Sequence, residues 1–284
     1  MAVSLCLLGA QVGGSSRLGE VNLPRHMGKP ATAVNLPPEN TGIISLGEEH
    51  RGKAVIVSHE HRFIFLKTRK TGGTSIELAL RQLCGPDDII TPLLEDRDGP
   101  AGMGRGPQNW YVHRWWRSSR PLFRRSWSEL KPQDHGFYNH MPAEEARALL
   151  NDDKVWRSYF KFAFDRNPWD RQVSSYHFRY RHLERPPPFS SYMRNRRQPL
   201  VKNYQIYSLR GDVCVDFVGR YEDLDGEFKR ALAQIGLTFD SELPRSKAGF
   251  RPPSLHYREY YDDETRGLVK EWYKPEIALL QYEF

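Results

Sequence analysis

The chain has 284 residues, of which 39% are apolar, 12% aromatic and 27% charged, with a mean hydropathy of −0.68. That is the composition of a globular chain rather than a disordered or fibrous one, and no apolar run approaches the roughly 18–20 residues that a membrane-spanning helix needs. The 42 Lys and Arg against 35 Asp and Glu give a net charge of +7, and the excess is concentrated. Residues 166–210 hold nine Arg and one Lys against Asp170 and Glu184, and residues 111–131 hold six basic residues against Glu129. Concentrated positive charge points to an anionic partner: a phosphate-bearing cofactor, an acidic substrate, a nucleic acid or a membrane surface. A solvated basic face is the plainer alternative.

Cys6, Cys84 and Cys214 are few, odd in number and widely spaced. Without a Cys-x-x-Cys pair they support neither a disulfide framework nor a zinc knuckle, and reduced thiols in a cytoplasmic protein are expected. The apolar stretch Ala2 to Ala10 has no Lys or Arg before it, so a secretory signal is not expected.

In chain order, residues 1–54 are rich in Gly, Pro, Ser and Asn without sustained periodicity. They are expected to form a loosely docked arm ahead of a single domain over 55–284. The run Arg62 to Lys67 reads as a buried strand, Thr71 to Thr74 as a turn, and Ser75 to Leu83 as a helix with Ile76, Ala79, Leu80 and Leu83 on one face. Residues 91–135 read as a long insertion with a Trp- and Arg-rich segment from Trp110 to Trp127. Pro142 to Leu150 reads as a helix with Pro at its first position. A second strand-turn-helix unit follows, with a strand over Tyr159 to Phe164 and a helix from Trp169 to His182. The sequence Pro186-Pro187-Pro188 breaks the chain there. A third strand is placed at Val213 to Val218, a helix at Gly226 to Ile235, and a last helix from Asp263 that stops before Pro275. Strands alternating with helices predict a three-layer α/β domain around a mainly parallel sheet.

Two segments carry chemistry. Lys70-Thr71-Gly72-Gly73-Thr74-Ser75 lies between a strand and a helix. Its glycines let successive N–H groups curl toward one oxyanion, the helix N-terminus adds positive potential, Thr74 and Ser75 offer hydroxyls, and Lys70 brings a full charge. It is not a Walker A loop, because Lys70 precedes the glycines. The alternative is an ordinary turn with a Thr cap. In Asp165-Arg166-Asn167-Pro168-Trp169-Asp170, Arg166 stands at the carboxyl end of a strand, where open α/β sheets bind ligands. Ser174 follows early in the next helix. A guanidinium with a nearby hydroxyl suits a second phosphate; the alternative is that Arg166 pairs with Asp170 and Ser174 merely packs.

Two anion sites on two such turns suit a nucleotide phosphorylated at two positions. At these residues a family resemblance appears. Phe63 to Ser75 resembles the 5′-phosphosulfate loop, and Phe162 to Ser174 the 3′-phosphate motif, of sulfotransferases that use 3′-phosphoadenosine 5′-phosphosulfate (PAPS), most nearly the carbohydrate-type and bacterial family 2 branch. Arg220-Tyr221-Glu222-Asp223-Leu224 and His256 to Tyr261 resemble later segments of that branch, so the likeness spans about 62–284. It implies a P-loop-like fold and sulfuryl transfer from PAPS to an acceptor hydroxyl or amine, leaving 3′,5′-adenosine diphosphate. It also implies that Lys70 contacts the phosphosulfate, Thr71, Gly72, Gly73, Thr74 and Ser75 cradle the phosphate, and Arg166 and Ser174 hold the 3′-phosphate. Arg69 stands where many relatives have Pro.

By analogy with phosphoryl transfer, positioning and charge stabilisation do most of the work, and no metal is expected. His59-Glu60-His61 lacks a third ligand. An acceptor proton calls for a base, for which His suits. His140, in a run resembling the family's catalytic-histidine segment, is the first candidate, His135 the second and His113 the third. The Trp110–Trp127 and Arg179–Arg197 stretches are expected to flank the acceptor site, or else to form a solvated basic surface. The expected partner is a small-molecule or carbohydrate acceptor, with no nucleic acid and no membrane span; oligomeric state is left open. The competing functions are a basic nucleic-acid-binding module and a P-loop nucleotide kinase with a deviant loop.

Overall fold

The computed structural model describes residues 55–93, 104–111, 136–195, 200–244 and 255–284. The expectations for the 1–54 arm, His113, His135 and most of the Trp- and Arg-rich segment fall outside these residues.

The first strand, β1 (Val55–Ser58), pairs antiparallel with β2 (Phe63–Leu66). Their β-branched and aromatic residues are buried throughout, as strands covered on both faces require. The turn between them is fixed by Asp88, which accepts from the Ser58 hydroxyl at 2.7 Å and from the amides of His59 and Gly85 at 2.6 and 2.8 Å. Then come α1 (Gly73–Leu80), β3 (Ile89–Ile90), α2 (Ala143–Leu150) and α3 (Asp153–Ser158), the last capped by Asp152. The second strand-turn-helix unit is β4 (Phe160–Asp165) and α4 (Pro168–Arg179), followed by α5 (Phe189–Arg194). A short hairpin, β5 (Ser208–Leu209) and β6 (Asp212–Val213), precedes β7 (Phe217–Arg220) and α6 (Leu224–Ala233). The chain closes with α7 (Asp263–Trp272) and α8 (Lys274–Leu280).

The central sheet has the order β3-β1-β2-β4-β7. The β2–β4 and β4–β7 pairs are parallel, while β1 opposes both of its neighbours. Phe63, Phe65, Phe162 and Phe164 face one side, packed by Ile76, Ala79 and Leu80 of α1 and by Phe228, Ala231 and Leu232 of α6. Val55, Val57, Ile64, Leu66 and Ala163 face the other, against Ala143 and Ala146 of α2 and Trp156 of α3. This is a mixed α/β fold with a mostly parallel sheet flanked by helices. A third cluster joins α4, α5, α7 and α8 through Trp169, Val173, Phe189, Met193, Val269 and Leu280. Among the described residues no helix is long and apolar enough to cross a membrane.

One element lies elsewhere than expected. The strand placed at Val213–Val218 is divided: Asp212–Val213 closes the hairpin, and the sheet strand begins at Phe217.

The topology places the site. After β2 the chain runs to β3 on one side of the sheet and returns to β4 on the other, so the order of connection reverses at β2. Ligand crevices form outside the carboxyl ends of strands at such a reversal. Because β2, β4 and β7 are parallel, the segments that follow Leu66, Asp165 and Arg220 emerge on one edge.

Candidate active site

The residues after β2 form a tightly tied turn. Lys67 is buried, with Nζ 2.9 Å from Glu77 Oε2 and 3.4 Å from Thr74 Oγ1. Arg81 Nη2 also reaches Glu77, at 3.1 Å. Burial raises the pKa of the Glu77 carboxyl, and the two cations oppose that rise. A Cβ on Gly73 would stand 2.6 Å from Lys67 Cγ, so the glycine makes room for the lysine beneath α1. Gly72 has φ +68°, and a Cβ there would meet Leu224 Cδ2 at 2.7 Å and the Tyr221 ring at 3.4 Å. Gly72→Ala is therefore expected to cost at least about 1–2 kcal/mol from the left-handed backbone, read as a lower denaturant midpoint; an unchanged midpoint would contradict this packing.

Thr68 and Thr71 join hydroxyls at 2.8 Å, and the Thr68 hydroxyl donates to the Phe164 carbonyl of β4. Gly72 opens α1, and its carbonyl accepts from the Ser75 amide at 2.9 Å. The Gly73 and Thr74 amides belong to the first turn, which has no carbonyl one turn earlier to bond. Their dipoles give the turn the positive potential of a helix N-terminus.

The second segment lies directly alongside. Asn167 caps α4 by accepting from the Trp169 amide at 3.0 Å, with Pro168 in the first helical position. Arg166 Nε and Nη2 bond Asp170 Oδ2 at 2.8 and 2.7 Å, Nη1 reaches the Lys70 carbonyl at 3.3 Å, and the guanidinium lies 4.1 Å from the Tyr221 ring centroid. The Arg166–Asp170 pair that the sequence left open is formed, and Arg166 also ties the two segments together. Lys70 Nζ lies 3.7 Å from the Phe178 ring centroid. Asp170, Ser174 and Phe178 follow one another at i, i+4 and i+8 on α4, within an arc of about 80°. The half-buried Ser174 therefore lies on the stripe between the residue Arg166 grips and the ring Lys70 covers. Arg194, from the Arg-rich stretch, pairs instead with Asp262 and Glu264 at 2.7 and 2.8 Å.

Both segments rest on Asp165, which is fully buried. Its carboxylate accepts from Arg171 Nη1 at 2.6 Å, the Arg166 amide at 2.8 Å, Asn203 Nδ2 at 2.9 Å and the Tyr207 hydroxyl at 2.7 Å. Arg171 Nη2 reaches on to Glu276 at 3.2 Å. Burial alone would lower the Arg171 pKa, but Asp165 and Glu276 outweigh it and hold the guanidinium charged. Burial and then Asp165 push the Tyr207 hydroxyl well up, so it stays a donor. Removing one partner of such a pair leaves an uncompensated buried charge. Asp165→Ala is expected to cost about 3–5 kcal/mol of stability, measurable by denaturant unfolding; a loss under about 1 kcal/mol would contradict the role of Asp165 as hub.

His140 enters from the opposite face. Met141 and Phe137 beside it are buried in the sheet's second core, and α2 begins three residues on, after Pro142 as its cap. The imidazole Nδ1 lies 2.9 Å from the Lys67 carbonyl. A carbonyl only accepts, so Nδ1 carries the hydrogen, and in the neutral ring Nε2 holds the lone pair. His140 and Lys70 both have positive φ, at 55° and 63°. Such conformations in non-glycine residues concentrate at functional sites.

A sequence model of the sulfotransferase family matches residues 53–283. The chain belongs to the sulfotransferase family. An uncharacterized protein of Archaeoglobus fulgidus is 32% identical over 102 residues, which cover 34% of this chain and 83% of that relative. No solved structure matches the chain.

In this sulfotransferase, then, Lys70, Thr71, Gly72, Gly73, Thr74 and Ser75 form one tied turn, Arg166 touches it, Ser174 lies between them along α4, and His140 is fastened to its start. His59 and His61 serve the fold: His59 Nδ1 meets the Tyr159 hydroxyl and His61 Nε2 the Leu83 carbonyl, each at 2.9 Å. Tyr221, Glu222 and Tyr257 were legible only as parts of resembling segments. The structure gives them work, with Tyr221 stacked on Arg166, Glu222 Oε1 accepting from the Asn167 amide at 2.8 Å and the Tyr257 hydroxyl accepting from Asn167 Nδ2 at 3.4 Å. Asp165 and Asn203 carried no sequence signal of their function as ties.

Proposed function

We propose that this sulfotransferase takes its sulfuryl group from PAPS and delivers it to a hydroxyl or amine of a small-molecule or carbohydrate acceptor. The observation that carries the reading is the convergence of Lys70 and Arg166, from two different strand ends, on the α4 face that holds Ser174. The chemistry of the donor set fits a nucleotide phosphorylated at both ends. First-turn amides, two hydroxyls and an ammonium suit the 5′ group, while a guanidinium and a hydroxyl suit the 3′-phosphate. The helices on both sheet faces are consistent with a three-layer, P-loop-like domain.

PAPS, when bound, supplies an activated sulfuryl group attached to a phosphate leaving group. Lys70 and the α1 amides are assigned to offset charge on that phosphate, in a turn largely withdrawn from water. Arg166 and Ser174 are assigned to orient the nucleotide through its 3′-phosphate. His140, with Nδ1 held by the Lys67 carbonyl, is the general base, and Nε2 is the atom that takes the acceptor's proton. With this positive charge supplied by the chain, no metal requirement is expected.

The test is release of 3′,5′-adenosine diphosphate from PAPS in the presence of a mixed panel of hydroxyl and amine acceptors, followed by chromatography. Release in proportion to protein, without added magnesium, supports the reading. Absence of release together with absence of binding by either nucleotide contradicts it.

A further inference from the structure

Lys70 holds a left-handed backbone that a lysine does not adopt unless its surroundings impose it. The residue before it shows what does so. The Asn203 side chain grips the Arg69 peptide from both sides: Oδ1 accepts from the Arg69 amide at 2.9 Å, and Nδ2 donates to the Arg69 carbonyl at 3.1 Å. Nδ2 also donates to Asp165 Oδ1 at 2.9 Å. The amide can face only one way, since its oxygen meets an N–H and its nitrogen meets two acceptors. Asn203 is fully buried and stands at the start of a 3-10 turn, Tyr204–Ile206, whose Ile206 amide bonds the Asn203 carbonyl at 2.8 Å. That turn is anchored in the core by Ile206 and Tyr207.

We infer that Asn203 is a positioning residue for Lys70: by clamping the Arg69 peptide and bonding Asp165, it imposes the Lys70 turn and locks it to the strand end that carries Arg166. One amide thus joins both segments of the site without reaching the ligand itself. Its bearing on transfer rests on the donor reading above.

The decisive experiment compares wild type, Asn203→Ala, Lys70→Ala and the double variant, with Asn203→Ser replacing the first substitution if Asn203→Ala does not fold. Amide hydrogen exchange is expected to quicken in a peptide covering 67–74 on loss of Asn203, while peptides from β2 and β4 keep their protection. Binding of 3′,5′-adenosine diphosphate is expected to weaken about tenfold, but by less than about twofold when Lys70 is already alanine. Exchange that quickens evenly across the sheet, or losses that add fully in the double variant, would make Asn203 merely structural and overturn the inference. Failure of wild type to bind the nucleotide would instead overturn the donor reading, and the exchange pattern would still decide the clamp.

Discussion

Replacing His140 with alanine is expected to lower turnover about 10²–10⁴-fold while leaving the affinity for 3′,5′-adenosine diphosphate within about twofold of wild type. The split follows from where the ring is held. Its Nδ1 is held by a main-chain carbonyl, so replacing the ring takes away a proton acceptor while the cations assigned to the nucleotide, Lys70 and Arg166, stay in place. The flanking Met141 and Phe137 keep the turn in place. Glutamine at 140 can occupy much of the same space without a basic nitrogen, so it is expected to be as slow as alanine. Single-turnover rates with saturating PAPS separate chemistry from binding. Wild-type turnover in His140→Ala, or equal loss of rate and affinity, would remove His140 from the role of base.

Arg166→Ala is expected to weaken binding of 3′,5′-adenosine diphosphate by about 2–5 kcal/mol, roughly 30- to 5000-fold. Arg166 is nine-tenths buried, with its guanidinium stacked on Tyr221 and forked onto Asp170, so it is already held in orientation before any ligand arrives. Truncation loses the charge and also leaves the Asp170 carboxylate beside the proposed anion site. Lysine restores the charge without the planar fork, and recovers only part of the affinity. The comparison ligand is 5′-AMP, whose affinity should change far less because it lacks the 3′-phosphate. Equal losses for both nucleotides would show that Arg166 supports the turn rather than the 3′-phosphate.

The parts of this architecture that sequence exposes are those with strong local patterns. The run 160–165 alternates Phe with Lys, Ala and Asp and ends at an Asn-Pro helix entry, and the structure has β4 and α4 there. Gly72-Gly73 between an apolar run and a helical face marked the first turn equally well. What escaped depends on pairing across distance. β1 is as short as β2 but lacks the glycine turn and helical face that follow β2, and is recognisable only through its partners β2 and β3. β7 was placed too early because Val213 to Val215 is apolar and Gly219 discourages a strand. Yet a Cβ at Gly219 would stand 2.6 Å from the Phe164 ring, so close approach of β4 demands the glycine. The triple proline read as a break, and it lies between the end of α4 and the start of α5, which Pro188 caps. In the candidate site, Lys70 and Arg166 could be named from residue type and position, and His140 from the likeness of its run to the family segment. Asp165 and Asn203 could not, because the contacts that reveal them, to each other, to Tyr207 and to Arg69, span at least 38 residues of sequence.

The central claim is that two anion-binding turns serve one nucleotide phosphorylated at both ends. Its most direct test is a thermal-shift titration of the full chain with 3′,5′-adenosine diphosphate, 5′-AMP and magnesium ATP. A ligand at 100 times its dissociation constant adds roughly 2.7 kcal/mol of stability, enough to move the midpoint clearly. The account predicts a shift with 3′,5′-adenosine diphosphate that exceeds the other two, needs no magnesium and is lost in Arg166→Ala. No shift, or a larger one with magnesium ATP, would contradict it.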